Sequence, residues 1–211
     1  MGLKLAGDGD IPGMVRVEAF RQLLASGSPV GADSLASSMV CSLGKLVETL
    51  DELDAAGRIR RDETGRVVGS AGLSVIPDRH RIELDGRKFW TWCAYDILGI
   101  FGAYRASGTA FSPSPATGET IQVRFIDGRP KVKGVVLFRP SDTYAACCTN
   151  LYEEWCPNSN LFEDHMSAES WSTGRGLGGQ ILSLEEASVL ATDEWLPLFT
   201  HTETDRSHGR D

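Results

Sequence analysis

Within Phe89-Trp90-Thr91-Trp92-Cys93-Ala94-Tyr95-Asp96 a thiol and a carboxyl stand three residues apart. Residues at i and i+3 share one face of a helix, so if the chain becomes helical after Trp92 the two groups point the same way. Cys93 then lies at a helix N-terminus, where unpaired backbone N–H groups and the helix dipole favour an anion and push the thiol toward the nucleophilic thiolate. A carboxyl beside such a thiol can take its proton and hand it on, which is general acid–base chemistry. The same spacing also fits a small core cysteine followed by a capping aspartate.

The elements that must position this pair read clearly. Arg79–Leu84 and Arg87–Trp92 alternate in polarity around Asp85-Gly86, the dipeptide of a type I′ turn, and so form a β-hairpin. Ala94–Tyr104 is too long and too apolar for a strand and reads as a helix buried on most sides. Downstream, Gly108–Pro115 reads as a breaker-rich loop, and Glu119–Phe125 and Lys131–Phe138 as a second hairpin about Asp127-Gly128. Pro157 keeps Cys156 off a helical backbone, on an extended or turning one. Ser167 reads as an N-cap, and Ser183-Leu184-Glu185-Glu186 as a capping box opening a last helix to about Trp195.

Upstream, residues 1–13 read as a lead-in, Met14–Ala25 as a first helix, and Asp33 onward and Leu46–Leu53 as two more around a turn at Cys41–Gly44. Arg58–Asp62 and Arg66–Ser70 then make a two-stranded wing. The expected fold class is therefore α+β: a winged-helix-like three-helix domain over residues 1–78, then a mixed, mainly antiparallel sheet domain with flanking helices over residues 79–211. The third helix offers Glu48, Asp51, Glu52 and Asp54 where a DNA reader needs basic groups. The wing arginines Arg58, Arg60, Arg61 and Arg66 keep open a thiol-based metal sensor acting on DNA.

A formal charge of −8 argues against broad affinity for nucleic acid or anionic membranes. No apolar run nears the roughly 20 residues of a membrane-spanning helix. Five cysteines, an odd number without framework spacing or a signal peptide, fit free thiols in a reducing, cytoplasmic setting. Cys41 reads as a core thiol, and the adjacent Cys147 and Cys148 point in different directions, which disfavours their chelating one ion as a unit. Gly174–Gly179 lacks the strand-before-helix context of a phosphate loop, and residues 201–211 read as a polar disordered tail.

Taken together, the winged-helix lead, Trp92-Cys93-Ala94-Tyr95-Asp96, Ala116-Thr117-Gly118, and Cys156 ahead of Asn160-Leu161-Phe162 and Ala168-Glu169-Ser170-Trp171 resemble the organomercurial (alkylmercury) lyase family. The resemblance runs from about residue 14 to 195. It implies a catalytic set of Cys93, Asp96 and Cys156, with Cys93 and Cys156 holding mercury as substrate and product. A register shift of eight or nine residues would put Cys147 or Cys148 in place of Cys156; the spacing to Phe162 and Trp171 favours Cys156. The implied reaction is protonolysis of a carbon–mercury bond, since soft mercury selects thiolates and the departing carbanion must be protonated. Trp90, Trp92, Tyr95, Phe101 and Phe162 would wall an apolar pocket for the organic group. No organic cofactor is implied, small thiols would remove Hg(II), and a mercuric reductase is an expected recipient. A relative recruited to other thiol–carboxylate chemistry stays open.

Overall fold

The computed structural model describes residues 10–39 and 41–200; the expected disordered tail and most of the expected lead-in lie outside them. Helix α1 (Ile11–Ser26) starts three residues before the expected Met14, because Pro12 occupies the first turn, where its missing N–H costs nothing. Helices α2 (Ala32–Ser38) and α3 (Leu43–Ala55) follow, and Ser42 caps α3 by accepting from Lys45 N. The wing forms as β1 (Ile59–Arg61) and β2 (Val67–Ser70), with the Asp62 carboxylate accepting from the Thr64 and Arg66 N–H groups at the turn.

The wing is the edge of a larger sheet. Strands β3 (Leu73–Ser74), β4 (His80–Leu84) and β5 (Arg87–Thr91) continue it, and β5 leads into helix α4 (Ala94–Tyr104). Strands β6 (Gly108–Pro113), β7 (Thr120–Ile126) and β8 (Arg129–Pro130) complete an eight-stranded antiparallel sheet in the order β1-β2-β3-β5-β4-β6-β7-β8. The β4–β5 turn places Asp85 and Gly86 both at positive φ, 47° and 80°, as a type I′ turn demands. One hydrophobic cluster runs from Val15, Phe20 and Leu35 through Ile82 and the length of α4 to Leu198, so the helices of the first third and the later sheet share a core.

Two sequence expectations fail here. Residues 108–113 are not a loop but strand β6, paired to β4 on one side and β7 on the other. Gly108 is needed because its φ is 156° and a Cβ there would meet the Glu83 carbonyl, while Ala110 and Ser112 turn inward at full burial. The breaker residues hid a strand that neighbouring ladders specify. The hairpin expected between 119–125 and 131–138 forms only at its turn: about Asp127-Gly128, both at positive φ, β7 pairs with the two-residue β8, and the chain does not return along β7 beyond Lys131. Strand β9 (Val136–Pro140) leaves for a separate sheet, in which it is flanked by β10 (Asn160–Phe162) and β11 (Gly179–Ser183).

Between β9 and β10 lie the short helices α5 (Asp142–Cys147) and α6 (Leu151–Glu154) and a 3₁₀ turn at Cys156–Asn158. Helix α7 (His165–Gly174) is capped by Asp164 accepting from Ser167 N. The cap is thus three residues before the expected Ser167, since a carboxylate also satisfies orphan N–H groups at a helix start. Helix α8 (Leu184–Trp195) opens on the expected Ser183–Glu186 capping box and lies along α4, and α9 (Pro197–Thr200) ends the described chain.

Candidate active site

Cys93 ends the β5 connection with an extended backbone and caps α4. Its sulfur accepts from Asp96 N at 3.4 Å, and the Asp96 carboxylate accepts from Cys93 N at 2.8 Å. This is a capping box with a thiol where a hydroxyl is usual. Thr91 Oγ1 donates to the Cys93 carbonyl at 3.0 Å and fixes the strand-to-helix corner. The 3₁₀ turn that starts at Cys156 is tied to the same helix start, because Ala94 N donates to the Ser159 carbonyl at 3.0 Å. That one backbone bond brings together two cysteines 63 positions apart.

The Cys93 and Cys156 sulfurs and an Asp96 carboxylate oxygen all lie within 4.8 Å of one another, and all three residues are buried. Among the described residues no other group of three such side chains is this tight. A cavity of about 30 Å³, room for roughly one water, opens onto Asp96 and Cys156. Trp92, Trp155 and Trp195 form its apolar wall, and Arg16 and Arg58 its basic one.

Burial sets the protonation of this site. The Cys93 thiol is raised well above its ordinary value, first by desolvation and then by the neighbouring Cys156 and Asp96. The expected thiolate at the helix N-terminus is therefore not the resting state: the Asp96 N–H does favour the anion, but removing the sulfur from water outweighs it. Asp96 is raised from 3.8 to about 7, chiefly by desolvation, with its bonds to Cys93 opposing. A carboxyl poised near neutrality beside two thiols can both accept and return a proton.

The family model for alkylmercury lyase matches residues 73–195. The alkylmercury lyase of Bacillus cereus is 30% identical over 175 residues, covering 80% of this chain and 75% of that protein. The chain belongs to the alkylmercury lyase family. The alkylmercury lyase of Staphylococcus epidermidis is 28% identical over 186 residues, covering 85% of this chain and 77% of that one. The solved mercury-bound form of MerB2 superposes with a TM-score of 0.76 at 24% identity, over 87% of this chain and 90% of that chain, so the two share a fold.

In this alkylmercury lyase chain the expected thiol–carboxyl set comes together, but the expected aromatic wall does so only in part. Trp92 lines the cavity. Tyr95 is one layer behind it, edge-on to Trp155 and Trp195 at 6.2 and 5.6 Å. Trp90 alternates to the opposite side of β5 from buried Phe89 and Thr91 and meets Lys88 Nζ at 5.8 Å, since successive strand residues face opposite ways. Phe162 belongs to a separate cluster with Phe138 and Trp171. Phe101 stacks on Phe125 with centroids 4.0 Å apart, on the far part of α4. Cys41 packs partly buried against the core, outside the set.

Sequence reasoning missed Gly72, Arg58, Trp155 and Trp195. Trp195 Nε1 donates to the Ala71 carbonyl at 3.1 Å, and its ring lies over Gly99 of α4, where any Cβ would collide. Gly72 has a φ of 85° and leaves room for the Asp96 carboxyl, which a Cβ there would strike. The signals were a Gly-x-x-Gly spacing on an apolar helix and a lone glycine after a wing, both too common to read alone.

Proposed function

We propose that the chain cleaves the carbon–mercury bond of an organomercurial by protonolysis, with Cys93 and Cys156 as mercury ligands and Asp96 as the proton carrier. The observation that carries this reading is the convergence of two thiols and one carboxyl within 4.8 Å in a buried site. An incoming R–Hg⁺ is soft and displaces a proton from a thiol, which Asp96 takes. Bonding of the second thiolate pushes electron density onto mercury and weakens its bond to carbon. Protonated Asp96 then delivers its proton to that carbon, so that R–Hg⁺ and two thiols become R–H, a dithiolate-bound Hg(II) and one proton.

The raised Cys93 suits this order of events. A thiol that stays protonated at rest is inert toward harder electrophiles and oxidants yet loses its proton to a soft metal. The cavity has room for about one water, so an organic group enters only as its lining rearranges. Trp92, Trp155 and Trp195 offer that group an apolar surface in place of the aromatics expected at Trp90, Tyr95 and Phe162.

Small thiols act in this reading as co-substrate, removing Hg(II) for a downstream mercuric reductase, and no organic cofactor enters the steps. A DNA-directed sensor is disfavoured by the wing itself. Arg60 pairs with Asp78 at 2.6 Å, Arg61 with Asp51 and Asp54, and Arg66 with Asp62, so these charges are already met within the fold. No helix among the described residues is long and apolar enough to cross a membrane. The test is incubation of the reduced protein with phenylmercury and excess small thiol. Catalytic benzene release is expected, and mercury bound without benzene would overturn the reading.

A further inference from the structure

The cavity that opens onto Asp96 and Cys156 is lined by eleven residues, and ten of them are buried. Arg58 alone is partly exposed, so it stands where the cavity comes nearest to solvent. The fold holds it there. Arg58 lies in the turn from α3 to β1, whose Ala56 carbonyl accepts from Leu151 N at 3.1 Å and whose Ala55 carbonyl accepts from Asn150 Nδ2 at 3.2 Å. Gly57 has a φ of 62° and no room for a Cβ, which would strike Asn150 and the Tyr152 backbone. The turn is thus stitched to the start of α6, the helix that leads to Trp155 and Cys156.

Arg60, Arg61 and Arg66 each pair with a carboxylate, whereas Arg58 meets none at ion-pair distance among the described residues. A second guanidinium, that of Arg16, lines the same cavity from α1 and is buried. The two repel. Arg16 is lowered to about 9, first by burial and next by Arg58, with Asp10 and Asp96 opposing, and so is still charged at pH 7. Two guanidiniums against the one carboxyl of Asp96 leave the lining net positive in either protonation state of that carboxyl. Like charges withdrawn from water toward one space are costly, and an anion between them offsets that cost.

We propose that the site prefers organomercurials whose organic group carries an anion, such as a carboxylate, and that Arg58 at the cavity mouth selects them, with Arg16 adding positive charge from behind. The inference rests on the lyase reading given above. Mercury sits at the Cys93 and Cys156 sulfurs, and the carbon bonded to it must face Asp96 to be protonated. The rest of the organic group then runs through the cavity along its tryptophans toward the outer side, where Arg58 stands. A guanidinium takes a carboxylate through two parallel N–H bonds, which a neutral group cannot match. That contact lies away from the bond being broken and is the same in ground and transition state, so it lowers KM and leaves kcat alone.

The test compares para-mercuribenzoate with phenylmercury on the full reduced chain in excess 2-mercaptoethanol. The kcat/KM of the first divided by that of the second should fall about tenfold or more in Arg58→Gln, through KM. Both compounds meet the same folded protein, so the quotient does not register a loss of stability, and comparing it between variants cancels their different intrinsic reactivity. Arg58→Lys keeps the charge without the fork and should retain part of the preference. Arg58→Glu should push the quotient below that of Arg58→Gln. A quotient equal in wild type and Arg58→Gln overturns the proposal. Retention of each compound by the protein against rising 2-mercaptoethanol is measured alongside. If neither compound is cleaved, yet para-mercuribenzoate is held the more tightly and only while Arg58 is present, the lyase reading falls and the anion preference stands.

Discussion

Replacing Asp96 with Asn separates holding mercury from cleaving its bond to carbon. The amide oxygen can keep the 2.8 Å bond from Cys93 N, so the cap on α4 and the placing of the sulfurs survive. What disappears is the proton carrier, and loss of one such group typically costs on the order of 10²–10⁴ in rate. Stability moves the other way. Asp96 binds its proton near 3.8 when unfolded and near 7 in the fold. Below about pH 4 it is neutral in both states and loses nothing. As pH rises toward 7 only the unfolded chain ionises freely, so wild-type stability falls by about 4 kcal/mol and is level above. Asn escapes that loss but buries an NH₂ group among weak sulfur acceptors, at about 1–3 kcal/mol. Asp96→Asn should therefore be about 1–3 kcal/mol more stable than wild type at pH 8, by difference. Toward pH 3 the order should reverse, with Asp96→Asn the less stable by that same cost of about 1–3 kcal/mol. Single-turnover benzene release and thermal unfolding at both pH values, on the same samples, check this. A wild-type rate in a less stable protein would refute the proton-carrier role and leave Asp96 a cap.

Cys93→Ser and Cys156→Ser should each reduce benzene release to background while Cys41→Ser turns over normally, as product analysis of the three variants will show. Wild-type kcat/KM should rise with pH through about 7, because Asp96 must be ionised to accept the first thiol proton, and a pH–rate profile flat across that range would count against it. Gly72→Ala should cost about 1–2 kcal/mol for its left-handed backbone and also displace the Asp96 carboxyl that a Cβ would strike. A lower melting temperature together with a lower rate constant is expected, and a rate equal to wild type in the folded fraction would show the carboxyl is not held there.

Much of this site was legible because its chemistry is local. Cys93 and Asp96 are three residues apart at a corner signalled by a type I′ hairpin and an apolar helix, and both elements formed as the pattern required. Cys156 came from motif order rather than from physics; its place depends on the Ala94–Ser159 backbone bond, which no periodicity announces. The pocket was the poorest reading. Strand alternation turns Trp90 away from the cavity, and the wall is formed with Trp155, the cap of α6, and Trp195, the end of α8, which are distant from Cys93 in sequence. The protonation of Cys93 also inverted, because a helix N-terminus is visible in sequence whereas the depth of burial is not.

The most direct measurement is a single turnover in heavy water: excess reduced protein, one portion of phenylmercury, and mass analysis of both products. Protonolysis through Asp96 predicts one benzene per mercury carrying a single deuterium, with the mercury retained by protein in which, after denaturation, Cys93 and Cys156 alone resist alkylation. Benzene without deuterium, or mercury held with its phenyl group intact, would contradict it.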